Sequence, residues 1–388
     1  MNNFQTSSNK PFTLFIFTNG PGEISTWVRP ILDSVSKLNS DCQVVILLTP
    51  CQYSTGREID ILSIIPNVNK VISPKQSIRL VFSPFLKKSI HKLVHFSSDN
   101  SSVLFLGGDP MYANFFGFRL GIKKYAYTEN NAFSDFGYEK VFKRSLHGDL
   151  MKDKVYNYLS STTSVSESNN PRSLDYDILF FCGSRPRHFK LLAPLICEAA
   201  EKIREANPSL KLCIGVSPFI KTQEINELKN EFTRLFKTNT LSIQQENSLA
   251  LLSKSKTLIT IPGSNTAEAM YMKVPMLVVI PLNNPEELIF DGIIGLFFKL
   301  PVIGKLITSL FISFLKKQDK LYSIPNLLSK TNAVTEIAQT FDPKSMADTV
   351  LNFFDDKTCH NDQLKKLNCL HSDTSVSTTI VSEILNES

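Results

Sequence analysis

Short apolar runs alternate with amphipathic stretches along most of the chain, and this order predicts an α/β fold. The run Thr13–Thr18, TLFIFT, leads into a glycine turn and then a helical pattern up to Leu38. The same order begins again at Asp177–Cys182, DILFFC, and continues into a helical pattern over Leu191–Ala206. Because a strand that ends in a glycine turn and opens a helix is how a Rossmann-like domain begins, the sequence predicts two such domains.

A polar segment separates the two repeats of this pattern. Residues 160–173, SSTTSVSESNNPRS, are rich in Ser, Thr and Asn, which is the composition of a linker. We therefore predict an N-terminal Rossmann-like domain over residues 1–159 and a C-terminal one over residues 174–341. A C-terminal helical segment over residues 342–388 follows, and we expect its polar end to be a frayed helix. A length of 388 residues agrees with more than one core.

The stretch Leu258–Pro281 gives the clearest indication of a binding site. An apolar run ends at Pro262-Gly263, a helical segment with Glu268 near its start follows, and a second apolar run covers Met276–Ile280. Unpaired N–H groups at a helix N-terminus favour a phosphate, and a nearby carboxylate can accept hydrogen bonds from a sugar diol. The stretch therefore predicts a sugar-nucleotide site, with these candidate residues: Gly263, Ser264, Asn265, Thr266 and Glu268.

Charged residues follow other predicted strands. Asp109 comes after the run Ser102–Leu106, and Glu129 comes after Gly121–Tyr127. Ligands of parallel sheets bind at this end of the strands, and a buried carboxylate there can act as a general base. The alternative for each is a turn or a helix cap. Arg185, after the first strand of the second domain, is suited to a pyrophosphate.

Composition and charge restrict the class of ligand and the cellular compartment. The net charge of +6 and the pI near 8.8 suit an anionic ligand or an anionic membrane surface, and they are too mild to indicate nucleic acid. Seven cysteines show no disulfide spacing, which indicates a reducing compartment, and the Cys and His near the C-terminus fit no zinc pattern. The polar N-terminus lacks the apolar core of a signal peptide.

Two segments have the character of membrane-surface helices. Residues 286–317 are apolar but broken by charges, and the charge-free run of ten residues before Lys316 is shorter than the ~20 needed to span a bilayer. We expect this insert to lie in a membrane surface with its lysines toward the headgroups; a core helix or a dimer interface is the alternative. Ser77–Phe96 mixes apolar and basic residues in the same way, but there we favour an amphipathic helix packed on the sheet.

Five short motifs in order resemble those of the lipid-A-disaccharide synthases. They are Gly22-Glu23-Ile24-Ser25, Gly107-Gly108-Asp109, Gly183-Ser184-Arg185, Pro262–Ala269 with Val274-Pro275-Met276, and Ile324–Leu328 followed by Glu336. The resemblance implies an inverting glycosyltransferase of GT-B architecture, with two Rossmann-like domains facing across a cleft.

The resemblance also implies ligands and roles. The donor is a UDP-sugar such as a UDP-acylglucosamine, bound mainly by the second domain, and the acceptor is a lipid-linked sugar at the membrane. No metal or other cofactor is needed. Asp109, or failing that Glu129, would be the base, and the implied substrate-binding positions outside the Leu258–Pro281 stretch are Gly22, Glu23, Ser25, Arg185 and Asn326. We expect the protein to be cytoplasmic and peripheral on the inner face of a membrane, as a monomer or a homodimer.

The departures from the family pattern lie mostly on the acceptor side. Thr26-Trp27 stands where the family has Gly-Asp, Asp109 is not followed by the family's second Asp, and Ala267 replaces a Leu. These changes indicate a related enzyme with a changed acceptor. They leave two rivals, a UDP-sugar 2-epimerase-like enzyme and a non-catalytic UDP-sugar-binding paralogue.

Overall fold

The computed structural model describes residues 11–130, 132–163, 174–283, 321–368 and 375–387. The chain forms two compact units, one of residues 1–157 with 372–388 and the other of residues 158–371. Each unit holds a parallel six-stranded sheet, which confirms the predicted α/β class with two Rossmann-like domains.

The first sheet is built from the apolar runs of the first unit. Its strands are β1 (Thr13–Thr18), β2 (Gln43–Leu48), β3 (Val68–Ile72), β4 (Ser101–Phe105), β5 (Lys123–Thr128) and β6 (Lys140–Lys143). Their order is β3-β2-β1-β4-β5-β6, so the direction of winding reverses between β1 and β4. All neighbouring strands are parallel, and β1 is buried along its whole length, as expected of a strand covered on both faces.

Helices cover this sheet, and the residue range 21–38 is helical throughout. It consists of α1 (Pro21–Glu23), a π-helical turn (Ile24–Val28) and α2 (Arg29–Leu38). The remaining helices are α3 (Glu58–Ser63), α4 (Pro74–Phe82), α5 (Leu86–His91), a 3₁₀ turn (Ser98–Asn100), α6 (Pro110–Leu120), α7 (Arg144–His147) and α8 (Leu150–Thr163). Phe116 on α6 packs edge-to-face on Phe15 and Phe17 of β1, at centroid distances of 5.2 and 5.3 Å.

The second sheet repeats the winding of the first. Its strands are β7 (Tyr176–Phe181), β8 (Leu212–Gly215), β9 (Leu241–Gln244), β10 (Ser255–Thr260), β11 (Met276–Pro281) and β12 (Thr335–Gln339). The order β12-β11-β10-β7-β8-β9 again places the first strand of the unit beside the fourth, β7 beside β10. Its helices are α9 (Pro186–Ala206), α10 (Thr222–Glu231), α11 (Thr233–Lys237), α12 (Ser248–Ser253), α13 (Ser264–Met272), α14 (Ile324–Ser329), α15 (Pro343–Asp355) and α16 (Lys357–Asn368).

The last described helix, α17 (Val376–Asn386), returns to the first unit and contacts α2. Ile380 and Ile384 lie one turn apart and are buried, and the Ser377 hydroxyl lies 2.9 Å from that of Ser34. Our expectation of a frayed C-terminal helix is therefore wrong, because this apolar face has a partner far away in the sequence.

Two sequence predictions concern segments at or beyond the edge of the described residues. Ser160–Thr163, predicted as the start of the linker, is the end of α8, and the insert 286–317 lies outside the described residues. Among the helices that the structure describes, none is both long and apolar enough to cross a membrane.

Candidate functional site

Four of the five sequence motifs lie where the winding of a sheet reverses. The segments that follow β1 and β4 carry Gly22-Glu23, in α1, and Gly107-Gly108-Asp109, and these strands are neighbours. The loops after β7 and β10 carry Gly183-Ser184-Arg185 and Pro262-Gly263, and these strands are also neighbours. The carboxyl ends of such neighbouring strands are where open parallel sheets bind ligands. Each unit therefore has one candidate binding edge.

In the first unit, Glu23 packs between two glycine turns. A Cβ added to Gly20 would lie 2.7 Å from Glu23 Oε2, and one added to Gly107 would lie 2.9 Å from Glu23 Cγ. Gly108 has a φ of +91°, and a Cβ there would collide with the Thr49 hydroxyl. Gly20 and Gly107 thus leave room for the Glu23 side chain between the segments after β1 and β4, and Gly108 leaves room for Thr49 in the loop after β2.

The π-helical turn directly after Glu23 contains two of the residues that depart from the family pattern. The Thr26 hydroxyl donates to the Gly22 carbonyl at 2.7 Å, and Ser25 is partly exposed. The Trp27 ring meets Tyr127 edge-to-face at 5.5 Å, and its buried Nε1 has no hydrogen-bond partner among the described residues. Single π-helical turns often occur at functional sites. Trp27 thus offers an aromatic face and an unused N–H donor in place of a carboxylate.

Asp109 is the N-cap of α6. Its Oδ1 accepts a hydrogen bond from the Met111 N–H at 2.9 Å, and the residue is exposed. The cap alternative from the sequence is thus present in the structure. The second carboxylate oxygen is still available for a substrate, so capping and proton transfer are compatible.

Glu129 has a different environment, which sequence reasoning missed. Its carboxylate lies 2.5 Å from the Arg144 guanidinium, and Arg144 also pairs with Asp149 at 3.1 Å. The pKa of Glu129 is raised above its ordinary value, mainly by burial. Arg144 opposes this increase in the pKa, and the nearby Asp149 carboxylate adds to it. A carboxylate with a raised pKa is better matched to general-base work near neutral pH.

In the second unit, the loops after β7 and β10 touch. Gly183 has a φ of +85°, and a Cβ there would lie 3.0 Å from Ile261 Cδ1 in the neighbouring loop. Arg185 is the N-cap of α9 and is partly exposed. Gly183 therefore lets the loop that carries Arg185, at the N-terminus of α9, lie against the loop that precedes α13.

The α13 N-terminus begins at Gly263, which has a φ of +155°. The first N–H groups of a helix, here those of Ser264 and Asn265, have no intrahelical partner. The N–H of Thr266 instead donates to the Gly263 carbonyl at 3.0 Å, and its hydroxyl donates to the same carbonyl at 2.7 Å. That hydroxyl also accepts from the Ile324 N–H at 3.1 Å. Thr266 is fully buried, so it fixes the loop while Ser264 and Asn265 remain able to meet a phosphate.

Glu268 lies one turn into α13 and is 2% exposed. The sequence predicts it in the first turn of the helix, and the structure places it just beyond, in the second turn. Since so little of it meets solvent, a ribose diol can reach the carboxylate only if the surrounding side chains separate.

Asn326 and Glu336 form a buried polar network behind the α13 N-terminus. The Asn326 Nδ2 donates to the Val334 carbonyl at 3.0 Å and to Glu336 at 2.7 Å, and its Oδ1 accepts from the Val334 N–H at 2.8 Å. Glu336 also accepts from the N–H groups of Tyr322 and Ser323. Both Asn326 amide hydrogens are thus used inside the protein, and in this conformation the residue positions Glu336 and α14 rather than facing a ligand.

Within the residues that the structure describes, no cluster of three or more His, Cys, Asp or Glu side chains could hold a metal ion. Asp177, part of an Asp-x-Asp pattern at the start of β7, pairs with Lys256 at 2.6 Å at the opposite end of the sheet from the candidate site.

Comparisons with known proteins bear on the family and the fold. The family model of lipid-A-disaccharide synthetase matches residues 164–304, just over a third of the chain. No curated protein sequence matches the chain.

Among solved structures, Acinetobacter baumannii MurG is 15% identical with a TM-score of 0.50, and covers 97% of this chain and 100% of its own. The UDP-GlcNAc 2-epimerase from Neisseria meningitidis bound to UDP-GlcNAc is 12% identical with a TM-score of 0.53. The match covers 97% of this chain and 100% of the epimerase. The Methanocaldococcus jannaschii UDP-GlcNAc 2-epimerase in complex with UDP-GlcNAc and UDP is 15% identical with a TM-score of 0.53. The match covers 96% of this chain and 99% of the epimerase. At this identity the structures show a shared fold. The chain therefore has the two-domain GT-B architecture, and its residues 164–304 are similar to lipid-A-disaccharide synthetase.

Proposed function

We propose that the chain is a glycosyltransferase that moves a sugar from a UDP-sugar to a lipid-linked acceptor with inversion, as a relative of lipid-A-disaccharide synthase. The observation that carries this proposal is the edge of the second sheet, where Arg185 and the α13 N-terminus both follow neighbouring strands. The match to the lipid-A-disaccharide synthetase model over residues 164–304 supports it, and so do structural relatives determined with UDP-GlcNAc or UDP.

Each candidate residue of the second unit has a chemical role in donor binding. The Arg185 guanidinium binds the pyrophosphate, because its planar donors match phosphate oxygens. The N–H groups of Ser264 and Asn265 assist at the positive end of α13, after the Gly263 turn. Glu268 accepts hydrogen bonds from the ribose. Asn326 acts indirectly, since its amide holds the network behind the loop.

The first unit supplies the base. In a single displacement the acceptor hydroxyl loses its proton as it attacks the anomeric carbon, and UDP leaves from the opposite face of the sugar. Either Asp109 or Glu129 can accept this proton, and no covalent intermediate is required. Trp27, with its aromatic face and unused N–H, suits an acceptor different from the one that a carboxylate at this position would bind.

We place this reaction at the inner surface of a membrane, where a lipid-linked acceptor resides. The basic and apolar pattern of residues 286–317 supports a peripheral association. This part of the proposal rests on sequence alone, because the insert lies outside the described residues.

The first test is thermal melting of the full chain with UDP, GDP and a panel of UDP-sugars. A ligand at about 100 times its dissociation constant stabilises by about 2.7 kcal/mol, so UDP and one UDP-sugar should raise the melting temperature while GDP should not. Glu268→Ala should abolish the UDP shift, whereas Asp109→Asn should keep it. A chain that responds to no nucleotide contradicts the proposed donor site.

A second candidate function is epimerisation of a UDP-sugar at C2, which the fold shared with UDP-GlcNAc 2-epimerases favours. Incubation with UDP-GlcNAc and no acceptor separates the two functions. An epimerase converts the nucleotide sugar into its C2 epimer, whereas a transferase leaves it unchanged and releases UDP only when a lipid extract is added.

A further inference from the structure

The outer face of α6 carries large apolar side chains that remain exposed in the described structure. Met111, Phe115 and Phe118 follow one another at helical spacing and are 56%, 37% and 74% exposed. The opposite face, with Phe116 and Leu120, is fully buried against the sheet. The helix is therefore apolar on both sides, although only one of them contributes to the core.

Two phenylalanines from the end of α4 extend this face. Phe82 is 52% exposed and lies 5.4 Å from the Phe115 ring, and Phe85 is 68% exposed three residues later. Arg119 holds the two helices together, because its guanidinium donates to the carbonyls of Val81 and Ser83 at 2.6 Å. We name the set of Phe82, Phe85, Met111, Phe115 and Phe118 the aromatic surface. Several large apolar side chains so close together are more than the scattered exposure of an ordinary soluble surface.

Most charges near the aromatic surface are positive, with the exposed Asp109 at the start of α6 as an acidic exception. The chain carries no Asp or Glu between Asp60 and Asp99, or between Asp109 and Glu129. In the same stretches, five basic side chains of and beside α4 and α5 are exposed: Lys75, Arg79, Lys87, Lys88 and Lys92. Aromatic residues flanked mainly by cations are complementary to anionic headgroups over an apolar acyl layer.

We propose that the aromatic surface docks on an anionic phospholipid bilayer, with its phenylalanines in the interfacial layer and Lys87 and Lys88 at the headgroups. The α4–α5 region thus combines the two roles considered from its sequence, packing on the sheet and contact with a membrane surface. Val81, Leu86 and Ile90 pack on the sheet, while Phe82 and Phe85 face outward. This surface belongs to described residues of the first unit and is independent of the insert 286–317. It rests on the proposed function only in that a lipid-linked acceptor requires membrane access.

The test is sedimentation of the full chain with vesicles, without nucleotide or acceptor. Vesicles of phosphatidylcholine with phosphatidylglycerol should pellet the protein, and phosphatidylcholine alone should pellet much less. The doubles Phe82→Ser with Phe85→Ser and Phe115→Ser with Phe118→Ser should each lower the partition coefficient by about tenfold or more. Lys87→Gln with Lys88→Gln should lower it roughly thirtyfold at low salt.

The matched control is Tyr156→Ser on α8, an aromatic residue that is 67% exposed, and it should bind as the parent does. The lysine double leaves the core untouched, so it tests the inference even if an aromatic double folds poorly. Aromatic doubles that melt normally and still pellet like the parent overturn the inference, as does a parent that ignores anionic vesicles. Doubles that change the oligomeric state in light scattering, with vesicle binding intact, assign the surface to a second copy of the chain and overturn it too.

The outcome is separable from that of the proposed function. If UDP fails to shift the melting temperature but the vesicle results are as expected, the membrane surface stands and the donor site does not. If UDP binds and the vesicle results fail, the reverse holds.

Discussion

Burial and Arg144 act in opposite directions on the pKa of Glu129. The Arg144 and Glu129 side chains lie 2.5 Å apart, and the guanidinium lowers a pKa that burial raises. Asp109 instead caps a helix in a solvent-exposed position. The two candidate bases thus differ in a way that pH can detect, because among the described residues Glu129 pairs with a cation whereas the Asp109 carboxylate accepts from a backbone N–H.

We predict that Arg144→Gln moves the acid limb of the kcat/KM profile to higher pH if Glu129 is the base. Removal of the cation raises the pKa of Glu129 further, and the base must be ionised to act, so activity at acid pH falls first. The measurement is UDP release as a function of pH, with the UDP-sugar identified by thermal melting. Arg144→Lys is the control, since it keeps the charge and should leave the limb near its original position.

An unchanged acid limb in Arg144→Gln would assign the proton to Asp109. In that case Asp109→Asn should remove turnover and spare UDP binding. Full turnover in Asp109→Asn, with a shifted limb in Arg144→Gln, leaves Glu129 as the base.

At this scale, the sequence predicted where the candidate groups lie but not their partners. Asp109 and Glu129 follow apolar runs, so their position at a sheet edge follows from strand order. Arg144 carries no motif and comes fifteen residues after Glu129; it reaches that carboxylate because β5 and β6 pair side by side. The internal use of the Asn326 amide likewise depends on the backbone of Val334, just before β12, which the short motif does not contain.

At the scale of elements, the strands were predictable and some helices were not. Continuous apolar runs such as β1 and β11 are typical of parallel strands buried on both faces, and the structure confirms them. The helix α6 was missed because apolar residues on both its faces erase the helical period. The strand β6 has only four residues, too few to show a period of its own.

The docking of α17 depends on one buried carboxylate. Asp153 on α8 accepts from the Ser377 N–H at 2.6 Å and from the Ser375 hydroxyl at 3.2 Å, so it satisfies free donors at the helix N-terminus. We predict that Asp153→Ala destabilises the first unit by about 1–3 kcal/mol, because these donors lose their acceptor. Thermal unfolding at neutral pH measures the loss.

Asp153→Asn is the matched variant, and its effect should depend on pH. Burial raises the pKa of Asp153 above its unfolded value, so the folded state holds the proton more tightly, and this stabilisation is lost as the pH rises through the folded pKa. The amide keeps an acceptor without the buried charge. We therefore expect Asn to equal or exceed Asp in stability at pH 7, and the difference to vanish below the unfolded pKa of about 3.9. A large loss for Asn at pH 7 would contradict this.

At the scale of the molecule, the two units should respond separately to ligands and mutations. The donor residues all belong to the unit of residues 158–371, whereas Asp153 and α17 belong to the other. We predict that calorimetry shows two transitions, of which UDP raises one and Asp153→Ala lowers the other. A single transition that both changes shift together would show that the units unfold as one.

The return of α17 to α2 has a consequence for biosynthesis. The unit of residues 158–371 is continuous in the chain, and the other closes only with residues 372–388. A ribosome makes the chain from its amino end, so the second unit can finish folding while the first still exposes the apolar face of α2. The part of the protein that is synthesised first is therefore the part that is completed last, and during that interval the apolar face of α2 lacks the helix that covers it in the folded chain.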